Sequence, residues 1–201
     1  MSCGGPGRGG VTILLTGLSG AGKSTIAAAL RQRAIADGRT ISWLDGDAFR
    51  KVFSGDLGFK MQDRRLNLFR MGYIAAEIMR HGGVVIISAI APYAADRRDI
   101  RALADAVGRF MLVYVATPLD VCEARDSKGL YARARSGSVA TFTGISDPYE
   151  SPDDADIVVN TAIQTTDEIV GLLAAYLDAM CLSSGSAGVE EEGSVPAALR
   201  G

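Results

Sequence analysis

The sequence predicts an α/β fold: a doubly wound parallel sheet of about five strands in three layers, carrying a flexible lid. Two observations carry the prediction. Short aliphatic runs alternate with helical patterns from Val11 to Leu182, the order that builds parallel sheets covered by helices on both faces. The first run, VTILLT (11–16), is joined to the first helical pattern by GLSGAGKS, Gly17 to Ser24. That octet fits G-x-x-x-x-G-K-[ST] at every fixed position, and it lies between a strand and a helix, where a phosphate-binding loop belongs.

In order, residues 1–10 are Gly-rich and read as a disordered tail. TIAAALRQRAIADG after the loop is an Ala-rich helix stopped at Gly38. TISWLDGDAFR (40–50) is a strand ending in Asp45-Gly46-Asp47, which puts two carboxylates on the ligand-binding edge of a parallel sheet. FSGDLGFKMQ leads to Asp63, read as the N-cap of a helix running to about Arg80. VVIISAIAP (84–92) is a third strand, apolar on both faces as a central parallel strand must be. A helix over 95–107 and a strand over 110–117 follow, then a short helix capped by Thr117 with Pro118 at its first position. Residues 126–152 mix Lys128, Arg133 and Arg135 with glycine, serine and aromatics; an excursion of that length in a compact domain reads as a lid. DIVVNT (156–161) is the last strand, and a helix over 165–182 turns Ile169, Leu172, Leu173, Tyr176 and Met180 inward. Residues 183–201 read as a second disordered tail, so the folded domain spans 11–182.

Composition narrows the function. A net charge of −2 provides no basic surface for nucleic acid. No apolar run reaches the ~18 residues that span a bilayer, and the N-terminus lacks the apolar core of a secretory signal. A cytoplasmic protein is expected. Three cysteines indicate neither a disulfide framework nor a zinc cluster, and one histidine, His81, excludes any mechanism needing two.

The phosphate loop, residues Gly17, Leu18, Ser19, Gly20, Ala21, Gly22, Lys23, Ser24 and Thr25, is expected to bind ATP. Its glycines let backbone N–H groups close on phosphate oxygens, and the following helix adds the positive end of its dipole. Lys23 reaches the β- and γ-phosphates, and the Ser24 hydroxyl is a ligand for Mg2+, with Asp45 as its water-mediated partner. The guanine-base signature N-K-x-D is absent, so a small kinase is expected rather than a GTPase switch. Phosphoryl transfer to an alcohol needs a proton acceptor and cations around the moving group. Asp47 is the candidate base, and Arg50, Arg64 and Lys128 are candidate anion partners. Phe59 and Phe142 lie in glycine-containing loops, as a base-stacking platform or as core anchors.

GLSGAGKST, LDGD with Arg50, DLGF with Asp63-Arg64 and Asn67, VVIIS ahead of Pro92-Tyr93, TPLDVCEARDSKGLY and FTGISDPYE occur in this order and spacing. Together they resemble adenylylsulfate kinases over about residues 11–163. The resemblance implies transfer of the γ-phosphoryl of ATP to the 3′-hydroxyl of adenosine 5′-phosphosulfate, with Mg2+, in sulfate activation. It implies catalytic roles for Lys23, Asp47 and Lys128. It also implies that Phe59 and Phe142 sandwich the acceptor adenine, that Asp47, Arg50, Arg64, Asn67, Ile90 and Lys128 contact that nucleotide, and that the protein forms a homodimer.

The chain departs from the family on the acceptor side. Ala91 stands where many members have a phosphorylatable serine, Ala94 where arginine follows, Leu66 for an acid and Phe69 for an arginine. A diverged kinase of another small alcohol, or a weakly catalytic nucleotide-binding partner of a sulfate-activating enzyme, are the readings these changes leave open.

Overall fold

The computed structural model describes residues 10–126, 128–139 and 141–182. The chain runs β1 (Gly10–Thr16), α1 (Lys23–Ala36), β2 (Ile41–Asp45), α2 (Gly46–Phe53), α3 (Met61–Arg80), β3 (Val84–Ser88), α4 (Ala94–Asp105), β4 (Gly108–Val115), α5 (Leu119–Arg125), α6 (Leu130–Arg135), β5 (Ile157–Val159) and α7 (Thr166–Leu182). The five strands form one parallel sheet in the order β2-β3-β1-β4-β5. β1 is buried along its whole length, with Leu14 in register with Ile87 of β3 and Leu112 of β4.

Burial on both faces explains the unbroken aliphatic runs of the central strands. One core, around Ile13, Leu15, Met111 and Val113, receives α1 and α7; the other, around Leu14, Ile87 and Leu112, receives α3 and α4. From β1 the chain passes to one side of the sheet for β2 and β3, then to the other for β4 and β5. Ligands of such sheets lie at the carboxyl ends of the strands, where the winding reverses. Gly17, Asp45, Ala89 and Thr117 all leave strand ends on that edge.

Several expected boundaries move, for identifiable reasons. β1 begins at Gly10 rather than at 11, beside Gly108; a Cβ at Gly10 would lie 2.2 Å from the carbonyl oxygen of Gly83. Asp63 does not cap α3. The helix starts at Met61 from Lys60, and Asp63 sits in its first turn, where its charge complements the helix dipole. α2 (Gly46–Phe53) is a helix the sequence reading does not anticipate; Asp45 caps it, accepting from the N–H groups of Asp47 and Ala48. β3 stops at Ser88, leaving 89–93 as a loop that places Ala91 at φ 44°. Pro118, not Thr117, caps α5. The segment 126–152 contains α6, whose first N–H groups are taken by the Asp126 carboxylate. In α7, Ile169, Val170, Leu173 and Leu177 face in, while Leu172 and Tyr176 are exposed, because α7 packs on one side against α1. Cys122 is a free, buried thiol. The two tails, residues 1–9 and 183–201, lie outside the described residues, as do Ser127 and Ala140. No described helix is long and apolar enough to cross a membrane.

Candidate active site

The phosphate loop has the backbone its sequence demands. Gly17, Gly20 and Gly22 adopt φ of 147°, 75° and 100°, values that L side chains rarely tolerate. A Cβ at Gly17 would also lie 2.5 Å from the carbonyl oxygen of Val115. The loop is buttressed from outside: Tyr131 of α6 donates to the carbonyl of Ser19 (2.9 Å), Thr117 to that of Ala21 (3.0 Å), and Arg125 to that of Gly20 (3.3 Å).

Lys23 is buried, and its Nζ donates to the carbonyls of Gly17 (2.8 Å) and Leu18 (2.6 Å). Burial lowers its pKa to about 8, against a partial opposing pull from Asp47 and Asp45. A cation folded onto its own loop is ready to exchange two neutral acceptors for phosphate oxygens.

At the end of β2, Asp45 gathers four donors. Besides its two backbone contacts to α2, it accepts from Ser24 Oγ (2.8 Å) and Ser88 Oγ (3.0 Å), and Trp43 Nε1 in turn donates to Ser88 Oγ (2.9 Å). Burial opposes the charge of Asp45, but the donors of Ser24, Ala48, Ser88 and Asp47 outweigh it and hold the carboxyl below its usual range. Among the described residues there is no cluster of three or more His, Cys, Asp or Glu able to cage a metal. One hydroxyl beside one held carboxylate suits Mg2+, which keeps waters and shares phosphate oxygens.

Asp47, in the first turn of α2, is exposed and ion-paired to Lys128, which reaches it from the 126–152 segment. The structure thus brings together two residues expected in catalysis, Asp47 and Lys128. Ile90 offers its carbonyl to Thr16 Oγ1 (2.6 Å) and to Gly17 N (3.5 Å), tying the acceptor-side loop to the start of the phosphate loop. Asn67 is buried, with Nδ2 on Met71 Sδ (3.7 Å) and Oδ1 unpartnered. Ala91 is buried and Arg97 Nη1 holds its carbonyl (2.8 Å). Cys122 packs under the loop, and burial pushes its thiol up.

The two phenylalanines differ. Phe59 is 64% exposed beneath the Arg50 guanidinium (4.8 Å to the ring centre), and Arg50 also donates to Gly58 O (2.7 Å). Phe142 is buried edge-on against Tyr131 (4.9 Å). Arg64 donates to the loops carrying both: Nε to Phe59 O (2.7 Å), Nη1 to Thr143 Oγ1 (2.7 Å) and Nη2 to Thr141 O (3.1 Å), and it pairs with Asp147 (3.0 Å). Asp147 escaped sequence reasoning, since nothing in the run SDPYE marks one acid as facing a distant helix. Tyr131 escaped for the same reason. A cleft of about 520 Å³ opens on the β4 side between Leu18, Thr117, Leu119 and the 144–149 loop, beside the phosphate loop rather than over Asp47.

The family model described as adenylylsulphate kinase matches residues 9–160. An adenylyl-sulfate kinase of Paraburkholderia xenovorans is 49% identical over 177 residues, covering 88% of this chain and 97% of its own. One from Microcystis aeruginosa is 48% identical over 161 residues, covering 80% and 87%. Among solved structures, the Mycobacterium tuberculosis APS kinase CysC in complex with AMPPNP and APS superposes with a TM-score of 0.82 at 39% identity, covering 85% of this chain and 98% of that one.

Proposed function

The chain belongs to the adenylylsulfate kinase family, and from that premise we propose that it transfers the γ-phosphoryl of ATP to the 3′-hydroxyl of adenosine 5′-phosphosulfate. The products are 3′-phosphoadenylyl sulfate and ADP. The observation that carries this reading is the meeting of Lys23, Ser24, Asp45, Asp47 and Lys128 at the carboxyl edge of the sheet.

On this reading the glycine-lined loop and the N-terminus of α1 bind the phosphate chain of ATP, and Lys23 leaves the carbonyls of Gly17 and Leu18 for the β- and γ-phosphates. Ser24 and Asp45 would hold Mg2+, which would supply charge neutralisation at the phosphate oxygens. Asp47 takes the proton of the 3′-hydroxyl as its oxygen bonds to the γ-phosphorus and the bond to the β–γ bridging oxygen breaks. Lys128, released from Asp47, follows the moving charge. Direct in-line transfer needs no enzyme-bound phosphate, so Ala91 is compatible with turnover. Phe59, Phe142, Arg50, Arg64, Asn67 and Ile90 form the acceptor side.

An assay of ADP release with ATP, Mg2+ and adenosine 5′-phosphosulfate tests the reaction. Turnover is expected; ATP binding without turnover, together with activity on another alcohol, would replace the acceptor. We further take the protein to act in the cytoplasm, where ATP is the donor, and to form a homodimer, a stoichiometry that analytical ultracentrifugation reads directly.

A further inference from the structure

We propose that Asp147 is a positioning residue for the acceptor nucleotide, acting through Arg64 as a latch between the two phenylalanine-bearing loops. The inference rests on the kinase reading above and adds a residue to it. The Arg64 guanidinium directs donors from all three of its nitrogens at protein atoms, spanning from the Phe59 carbonyl to Thr141 and Thr143 on either side of Phe142. It is the one side chain of α3 that grips both loops among the described contacts. A guanidinium with its donors so distributed orients the loops around it, in addition to any contact with the acceptor itself.

Asp147 is its ion-pair partner among the described residues. The pair is formed at 3.0 Å with the side chains only 12% and 22% exposed, so it is shielded from solvent more than a surface ion pair. Asp147 is itself fixed by the turn it closes. Its N–H donates to Phe142 O (3.1 Å), its carbonyl accepts from Gly144 N (2.8 Å), and Ser146 Oγ accepts from Phe142 N (2.8 Å). The carboxylate therefore sits at a set distance from the Phe142 backbone and holds the arginine whose other end fixes the Phe59 backbone. Removing its charge leaves the arginine held to the Phe142 loop by two neutral acceptors only, which loosens the coupling of the two loops and widens the space offered to a flat base, without touching Lys23, Asp47 or Lys128.

The test compares Asp147→Asn, Asp147→Glu and Arg64→Lys with the native protein. For Asp147→Asn we expect KM for adenosine 5′-phosphosulfate to rise about tenfold, with kcat and KM for ATP within about twofold. Asp147→Glu should recover part of the loss. Hydrogen exchange at the bonded amides of Phe142, Gly144 and Asp147 should accelerate in Arg64→Lys, although residue 64 lies on another element. Equal increases in both KM values with a fall in Tm would reduce Asp147 to a general structural role and overturn the proposal. Unchanged exchange in Arg64→Lys would overturn the latch. Absence of native turnover with adenosine 5′-phosphosulfate would instead defeat the assigned reaction, and the exchange comparison would still decide the latch.

Discussion

Lys23 shows how a residue can serve function against stability. Its folded-state pKa of about 8 lies below the ordinary 10.5, so below pH 8 both folded and unfolded chains are protonated there and the burial penalty is fully present. Between pH 8 and 10.5 the unfolded chain binds the extra proton, and stability rises with pH. Lys23→Met should therefore stabilise the ligand-free protein at pH 7 by about 1–3 kcal/mol, in denaturant titrations, while abolishing turnover. The gain should shrink as pH approaches 10.5. In the native enzyme kcat/KM for ATP should fall as pH rises through 8, because that ratio reports the free enzyme. Asp47 is exposed and paired with Lys128. Asp47→Asn should lower kcat by about 10²–10⁴-fold and leave ATP affinity, read by calorimetry, nearly unchanged. Near-native kcat in that variant would remove Asp47 from proton transfer.

At the scale of elements, α2 and α6 are short helices whose N-terminal donors are satisfied by carboxylates that also border the site. Asp45 joins the start of α2 to Ser24 and Ser88. Asp45→Ala should cost about 1 kcal/mol through the lost cap and should also raise the Mg2+ concentration needed for half-maximal rate. A stability loss with unchanged Mg2+ dependence would confine Asp45 to capping. Asp126 does the corresponding work for α6, and α6 in turn supplies Tyr131 to both Ser19 and Phe142. The 126–152 segment is thus anchored at a helix next to the phosphate loop, and if it acts as a lid its opening should pivot there. Hydrogen exchange over 126–152 should slow when nucleotide is added, most at the amides beyond α6. Equal protection with and without nucleotide would mean a lid already closed.

For the whole molecule, the parallel sheet is the rigid frame on which two sets of loops meet. Much of it was legible in the chain. Period and composition predict five buried strands, because a central parallel strand must be apolar on both faces, and the phosphate loop is legible because its backbone accepts little but glycine at three positions. The motif order from GLSGAGKST to FTGISDPYE carried the family, and with it the candidate residues Asp47 and Lys128. Short helices were less legible: α2 and α6 hold eight and six residues, too few for a periodic signal. The phase of α7 slipped for a related reason, since an aliphatic helix with one packed face leaves Leu172 and Tyr176 outside without any polar marker. By itself, then, the sequence determined the sheet and the phosphate loop, each dictated by local backbone and burial rules, and its motifs named the candidate residues of the site. Only the tertiary structure decided who meets whom across the chain: Lys128 with Asp47, Arg64 with Asp147, Tyr131 with Phe142. Those pairings join residues far apart in sequence, and no local periodicity encodes a contact that exists only once separate elements have packed.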